Sequence, residues 1–515
     1  MQQAQVHKIE SGALTGRQVV DIARGGATVE LDAATERDID ATRKHIDALA
    51  AAEQPTYGVS TGFGALAVRH IPAERRAALQ QSFVRSHAAG AGSAVEPEVV
   101  RALMLLRLRT ISTARTGARL DTARALAAML NAGIVPVVHE YGSLGCSGDL
   151  APLAAVALAL TGEGDVLDPA GSTRPAAQAL AEAGIEPVVL AEKEGLSLTN
   201  GTDGMLGMLV LALHDLTGLL EIADLTAAMS VEALLGTDRV FAADLQALRP
   251  HPGQARSASR IHRLLAGSGI VASHRGPDCT RVQDAYSLRC APQVHGSAGD
   301  TIAFAEMVAE RELAAAIDNP VVLDDGRVES NGNFHGAPLA HALDYLAIPL
   351  ADVASMAERR TDRMLDVARS HGLPAFLADD PGVDSGHMIA HYTQAGVVAE
   401  LKRLAAPASV DSIPTSAMQE DHVSMGWAAA RKLRRAVDGL RTVLAVELLT
   451  AARALDLRAP LTPAPATGAV RDLLRTRVAG PGPDAHLAPQ IAETEALLRS
   501  GAVNSTVQDH LGGQS

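Results

Sequence analysis

Three stretches, at about 204–235, 338–369 and 423–455, carry apolar residues at helical spacing for some thirty residues each. At 1.5 Å per residue, each helix would be roughly 45–50 Å long. Rods of that length span a bundle and carry side chains out to an interface, so the fold class read here is mainly α, a long-helix bundle. A fourth run at about 296–317 belongs with them. The richest apolar stretch, 205–229, is interrupted by His214, Asp215, Glu221 and Asp224. It reads as a buried helix and not a membrane span.

Shorter helices are predicted at about 34–52, 73–89, 97–110, 121–132, 150–160, 174–183 and 390–404. Short strands are predicted at 18–20, 28–31, 135–137 and 321–322. Residues 459–468, rich in proline and glycine, read as a linker, and the polar end 504–515 as a loose terminus. Two regions follow from this division: a mixed segment, 1–204, and a helical remainder, 205–515.

The most informative short stretch is Gly142-Ser-Leu-Gly-Cys-Ser-Gly-Asp-Leu-Ala-Pro-Leu153. Its three glycines free the backbone, and Asp149 stands where an N-cap for the 150–160 helix would be. A phosphate cradle is disfavoured, because the spacing matches neither common glycine-rich fingerprint. Cys146-Ser147-Gly148 allows a covalent alternative. Attack of the Gly148 nitrogen on the carbonyl carbon of residue 146 closes a five-membered ring and releases one water. Loss of the Ser147 hydroxyl as a second water leaves an exocyclic methylidene. Residue 146 lends only its carbonyl.

This stretch resembles the signature of the aromatic amino acid ammonia-lyases, which carry methylidene-imidazolone (MIO) in this loop. Alanine is commoner there at position 146. The resemblance runs from about Tyr57 to Trp427 and implies an ammonia-lyase/fumarase-like fold. The 1–204 segment would then bear the cofactor loop, and the long helices would assemble a homotetramer with shared active sites. No metal is implied.

Each further site residue has a plain reading beside the implied one. Tyr57, in Tyr57-Gly-Val-Ser-Thr-Gly-Phe-Gly64, could be a packed loop tyrosine; the resemblance makes it the general base. A phenol ordinarily titrates near 10, so activation would need nearby cations and donors. His87 could be a helix-end dipole partner; the resemblance places ring recognition there. Asn200 could be a turn residue; the resemblance has it support the MIO ring and substrate. Gln283, Tyr286 and Arg289 fall at three-residue spacing, which would put them on one face of a helical turn. An arginine fork suits a carboxylate, and the resemblance makes Arg289 the substrate-carboxylate binder, Tyr286 and Gln283 lining residues. Phe334, in Asn331-Gly-Asn-Phe-His-Gly336, becomes a pocket wall. Glu420 could merely complement a helix start, but with Ser86-His87 it is similar to histidine-specific members.

The resemblance therefore implies conversion of L-histidine into trans-urocanate and ammonia. A tyrosine or phenylalanine ammonia-lyase, a 2,3-aminomutase, and a non-catalytic scaffold are the alternatives. A net charge of −14 argues against nucleic-acid or anionic-membrane partners. Three cysteines, at 146, 279 and 290, make neither a disulfide framework nor a zinc pattern. With no signal-like N-terminus, a reducing, cytoplasmic setting is expected.

Overall fold

The computed structural model describes residues 5–52, 56–62, 69–168, 170–276, 279 and 282–512. The chain is mainly helical. It opens with β1 (Val6–Ile9), α1 (Gly16–Ala23), β2 (Thr28–Leu31), α2 (Ala33–Ala51), α3 (Arg76–His87), β3 (Ala91–Ala94), α4 (Pro97–Ser112) and α5 (Leu120–Asn131). Next come β4 (Val135–Pro136), β5 (His139–Tyr141), α6 (Leu150–Leu160), β6 (Asp165–Leu167), β7 (Thr173–Pro175), α7 (Ala176–Glu182) and α8 (Glu194–Thr199). The long helices are α9 (Asp203–Ala233), α14 (Ala291–Ala314), α15 (Ala337–Leu365) and α17 (Gly426–Leu457). Between α9 and α14 lie α10 (Ala243–Ala247), α11 (Pro252–Leu264), α12 (Gly269–Ala272) and α13 (Tyr286–Arg289). The hairpin β8 (Val321–Val322) and β9 (Val328–Glu329) precedes α15, and α16 (Met388–Leu404) follows it. The chain closes with α18 (Pro465–Arg475), α19 (Leu487–Arg499) and α20 (Ala502–Gly512).

Backbone contacts group into two units, each gathered from three segments. The first comprises Met1–His214, Glu306–Asp344 and Pro407–Arg431. Its centre is α4, which buries every residue from Ala102 to Ser112. A helix apolar on nearly all sides must be surrounded. The donors of the two arginines in that run are satisfied where they lie. Arg107 pairs with Asp203 and donates to the Ser197 carbonyl at 3.1 Å. Arg109 donates to the carbonyls of Gly12 and Ala314 at 3.1 and 3.0 Å. A buried pair, Lys193–Asp318 at 2.6 Å, ties the start of α8 to the segment before β8.

The second unit comprises Asp215–Ala305, Tyr345–Ala406 and Lys432–Ser515. Arg360 on α15 forks onto Glu447 on α17, with Nε–Oε1 at 2.5 Å and Nη2–Oε2 at 2.9 Å. Thr226 and Ser230 on α9 donate to the same carboxylate at 2.7 and 2.9 Å. Three long helices thus share one fully buried charge pair whose lone pairs are satisfied.

Several expectations are corrected. Residues 18–20 are not a strand but the middle of α1. Thr15 accepts from the Gln18 N–H while Gln18 accepts from the Thr15 N–H, a reciprocal capping box. Residues 173–175 are strand β7, and the helix begins only at Ala176. The proposed linker 459–468 turns into α18 at Pro465, in the first turn where proline costs no hydrogen bond. The proposed loose end is α20, which packs on α18 and buries Val503, Val507 and Leu511. Among the described residues, the stretch Glu194–Ala233, which takes in α8 and α9, is long and apolar enough to cross a membrane, and 67% of its apolar window is buried inside the protein.

Candidate active site

The 142–149 loop leaves β5 and enters α6. It is pinned from two directions. The Gly145 carbonyl accepts from the Gly336 N–H at 3.0 Å and from the Ser424 hydroxyl at 2.8 Å, and the Leu144 carbonyl accepts from Met425 N–H at 2.9 Å. Trp427 donates its indole N–H to the Glu140 carbonyl at 2.7 Å. Glycine is required at 145, where φ is +67° and a Cβ would sit 2.3 Å from the Ser424 hydroxyl.

Asp149 departs from its expected role. It makes no side-chain cap to α6. Its carboxylate instead accepts from Ser143 at 2.9 Å and from the N–H groups of Gly204 and Met205 at 2.9 Å each. It therefore caps α9. Burial pushes this carboxyl up to about 7.

Asn200 ends α8 and turns its amide to Ser147, donating to the carbonyl at 2.8 Å and the hydroxyl at 2.9 Å. Its Oδ1 is buried with no partner. Gly148 has φ +75°, and a Cβ there would lie 2.2 Å from the Gly201 carbonyl oxygen. These features fit a ring closed between residues 146 and 148: a glycine nitrogen with no side chain beside it, a hydroxyl held in place, and a spare buried acceptor.

Glu420 reaches the same triplet. Cys146 Sγ lies 3.4 Å from Glu420 Oε2, and Thr415 Oγ1 donates to that oxygen at 3.0 Å. Burial, and then the negative charge of Glu420, push the Cys146 thiol up to about 12. Thr415 and Glu420 also pair through their backbones. The turn between them holds Ser416, Ala417 and Met418 at φ +51°, +52° and +70°. Three consecutive left-handed non-glycine residues are a strained arrangement of the kind that clusters at working sites.

His87, the last residue of α3, is half-buried with Nδ1 2.8 Å from the Phe83 carbonyl. Burial lowers its pKa, opposed by that carbonyl and by the charge of Glu420. Phe334 is half-buried. Its neighbour His335 stacks on His422, with ring centroids 5.6 Å apart and planes 3° apart. This contact links the Phe334 loop to the Glu420 segment. Tyr57 sits half-buried in a turn closed by the Ser60 N–H to the Thr56 carbonyl at 3.0 Å. Gly58 is pressed against α8, since a Cβ there would meet Leu196 Cδ1 at 2.7 Å. Phe63 and Gly64 of the same motif lie outside the described residues.

Gln283, Tyr286 and Arg289 belong to the second unit. They do not share one helical turn: α13 spans only Tyr286–Arg289, and Gln283 is exposed before it. Tyr286 and Arg289 do meet, the guanidinium carbon lying 4.6 Å from the tyrosine ring centroid. Arg289 Nε is buried without a partner. Arg360 Nη1 donates to the Ser287 carbonyl at 3.3 Å, bracing this turn. Among the described residues no cluster of three or more His, Cys, Asp or Glu side chains is placed to hold a metal ion.

Sequence reasoning missed Ser143, Thr415, Ser424 and Arg360. Ser143 lies within the recognised loop and Thr415 stands five residues before Glu420, so both were within reach; Ser424 and Arg360 act across 279 and 73 residues of chain, which leave no local signal.

The family model for aromatic amino acid lyases matches residues 14–476. The chain belongs to that family. It is 63% identical over 494 residues to the histidine ammonia-lyase of Streptomyces coelicolor, covering 96% of each chain. It is 47% identical to that of Anaeromyxobacter dehalogenans, covering 96% of this chain and 99% of the relative. The crystal structure of histidine ammonia-lyase from Trypanosoma cruzi superimposes with a TM-score of 0.90 at 38% identity, covering 98% and 95% of the two chains. A tyrosine aminomutase from Streptomyces globisporus gives 0.93 at 36% identity, covering 98% and 99%. This aromatic amino acid lyase thus shares its fold with enzymes of more than one substrate, and the side chains around the loop must distinguish them.

Proposed function

We propose that this aromatic amino acid lyase converts L-histidine into trans-urocanate and ammonia. The observation that carries the reading is the Glu420 carboxylate, held at the Cys146-Ser147-Gly148 triplet with His87 close enough to feel its charge. An imidazole N–H has a ready acceptor there, which a phenyl ring could not use. The MIO group formed from Cys146, Ser147 and Gly148 would supply an electrophile for the substrate's amino group.

The remaining work falls to this chain's own residues. Asn200 holds Ser147 through its carbonyl and hydroxyl. Tyr57 takes the β-proton on its phenolate oxygen. Arg289 binds the substrate carboxylate with its planar fork, and Gln283 and Tyr286 line the approach. Phe334 walls the ring, while His87 and Glu420 recognise it.

Assembly as a homotetramer accords with the apolar side chains left open on the second unit. Phe304 and Tyr345 are 44% and 49% exposed and pack edge-to-face at 6.0 Å. Ile389 and Tyr392 on α16 are 55% and 64% exposed. The acidic composition suits a cytoplasmic protein without nucleic-acid or membrane partners.

The purified protein, given histidine, tyrosine or phenylalanine, tests the reading by ultraviolet-absorbing product and free ammonia. Urocanate and ammonia in equal amounts are expected from histidine. Preferential turnover of tyrosine, or a β-amino acid product without ammonia, would replace it with an aminomutase or tyrosine-lyase reading.

A further inference from the structure

Ring closure draws only on the carbonyl of residue 146, so the Cys146 thiol has no part in it. The structure gives that thiol a neighbour. Its sulfur is 3.4 Å from Glu420 Oε2, the oxygen that already accepts from Thr415 Oγ1 at 3.0 Å. Neither donor uses Oε1. Thr415 is in turn tied to Glu420 by backbone bonds, Thr415 N–H to the Glu420 carbonyl at 2.9 Å and Glu420 N–H to the Thr415 carbonyl at 3.3 Å.

We infer that Cys146 is a positioning residue for Glu420: its S–H and the Thr415 hydroxyl fix Oε2, turning Oε1 toward an N–H donor on the substrate's heterocycle. The inference rests on the reading of Glu420 as the ring acceptor. A glutamate has three rotatable bonds, and one anchored oxygen removes most of that freedom. The thiol stays protonated beside the carboxylate, since burial and the neighbouring charge both oppose its ionisation. It can therefore act only as a donor toward Oε2.

A competing role is packing. Cys146 also sits among Val423 and Met425, with Leu144 and Ala408 beside them. A packing role and a donor role predict opposite orders for two small replacements. Serine keeps a donor and loses apolar character; alanine keeps apolar character and loses the donor.

Steady-state kinetics on variants shown by intact mass to have lost two waters decides between them. Glu420→Ala comes first, and a large loss of histidine turnover supports the underlying reading. Cys146→Ala should then raise KM for L-histidine about two- to fivefold with a smaller change in kcat, as expected for one weak donor to a charged group. Cys146→Ser should recover most of that loss. In the Glu420→Ala background, Cys146→Ala should add nothing to KM. The positioning role is overturned if the two substitutions multiply independently, or if serine is no better than alanine. If Glu420→Ala itself leaves KM and kcat unchanged, the reading of Glu420 falls, and the inference about Cys146 falls with it.

Discussion

The Asp149 carboxylate accepts the Met205 N–H at 2.9 Å and the Gly204 N–H at the same distance, across 56 and 55 residues of chain. The residue that follows the Cys146-Ser147-Gly148 triplet is thereby locked to the first turn of α9. Two otherwise unmet helix N–H groups are satisfied by one buried group.

Asp149→Ala should leave those donors unpaired and cost about 1–3 kcal/mol of stability. Asp149→Asn should be tolerated better, because its amide oxygen can take the two N–H groups while its NH2 donates to Ser143. Burial raises the Asp149 carboxyl from 3.8 to about 7. Its contribution is therefore present below about pH 4 and is lost as pH rises to about 7. Urea titrations at pH 4.5, 6 and 8 should show Asp149→Asn gaining on the native protein as pH increases. A constant difference across that range would mean the carboxyl ionises freely in the fold.

The long helices were legible because their periodicity persists. The ends of α9 fall within about two residues of expectation, whereas α14 starts at Ala291 and not near 296, and α15 stops at Leu365 and not near 369. The short strand wrongly expected at 18–20 shows the opposite case. Val19-Val20 reads as strand in isolation, and only the Thr15–Gln18 box reveals the helix. The loop stood out in the sequence because the ring closure it would undergo restricts which residue types can stand at 147 and 148. Glu420's approach to Cys146 spans 274 residues, a contact that no local pattern at either end announces. Asp149 stands at the N-cap position of α6 as the motif placed it, but tertiary contact gives its carboxylate to α9.

The Arg360–Glu447 pair predicts a clear double-mutant cycle. Arg360→Met strands a fully buried carboxylate and should cost about 3–5 kcal/mol, and Glu447→Leu, which strands the guanidinium, should cost a similar amount. The double variant should cost far less than the sum, since neither charge remains alone. Denaturant midpoints measure all three. Additive losses would show that the two groups act separately, despite Nε–Oε1 at 2.5 Å.

Acid sensitivity should trace in part to His387. It is buried, with Nδ1 3.1 Å from Thr450 Oγ1. Burial, and then repulsion from Arg453 and Arg475, lower its pKa from 6.5 to about 3. The unfolded chain takes up a proton near pH 6.5 that the folded chain refuses until about pH 3. The stability contribution is thus complete above 6.5 and is lost as pH falls from there to about 3. His387→Gln, which can still pair with Thr450, should flatten the decline of Tm between pH 6.5 and 4. An unchanged slope would assign acid unfolding to other groups.

The last prediction separates neighbours in the loop. Asn200 holds the Ser147 hydroxyl at 2.9 Å, and in the proposed ring closure loss of that hydroxyl as water would create the methylidene. Ser147→Ala should fold, because a smaller side chain at a half-buried position creates little strain. It should nevertheless retain the mass of at least the second water and lose turnover by several orders of magnitude. Cys146→Ala should show the same two-water deficit as the native chain, because residue 146 contributes only a carbonyl. A purely structural loop predicts full mass for all three proteins. Intact-mass measurement therefore distinguishes a cofactor-forming triplet from a glycine-rich turn, and a native chain at full mass would remove the electrophile on which the proposed reaction depends.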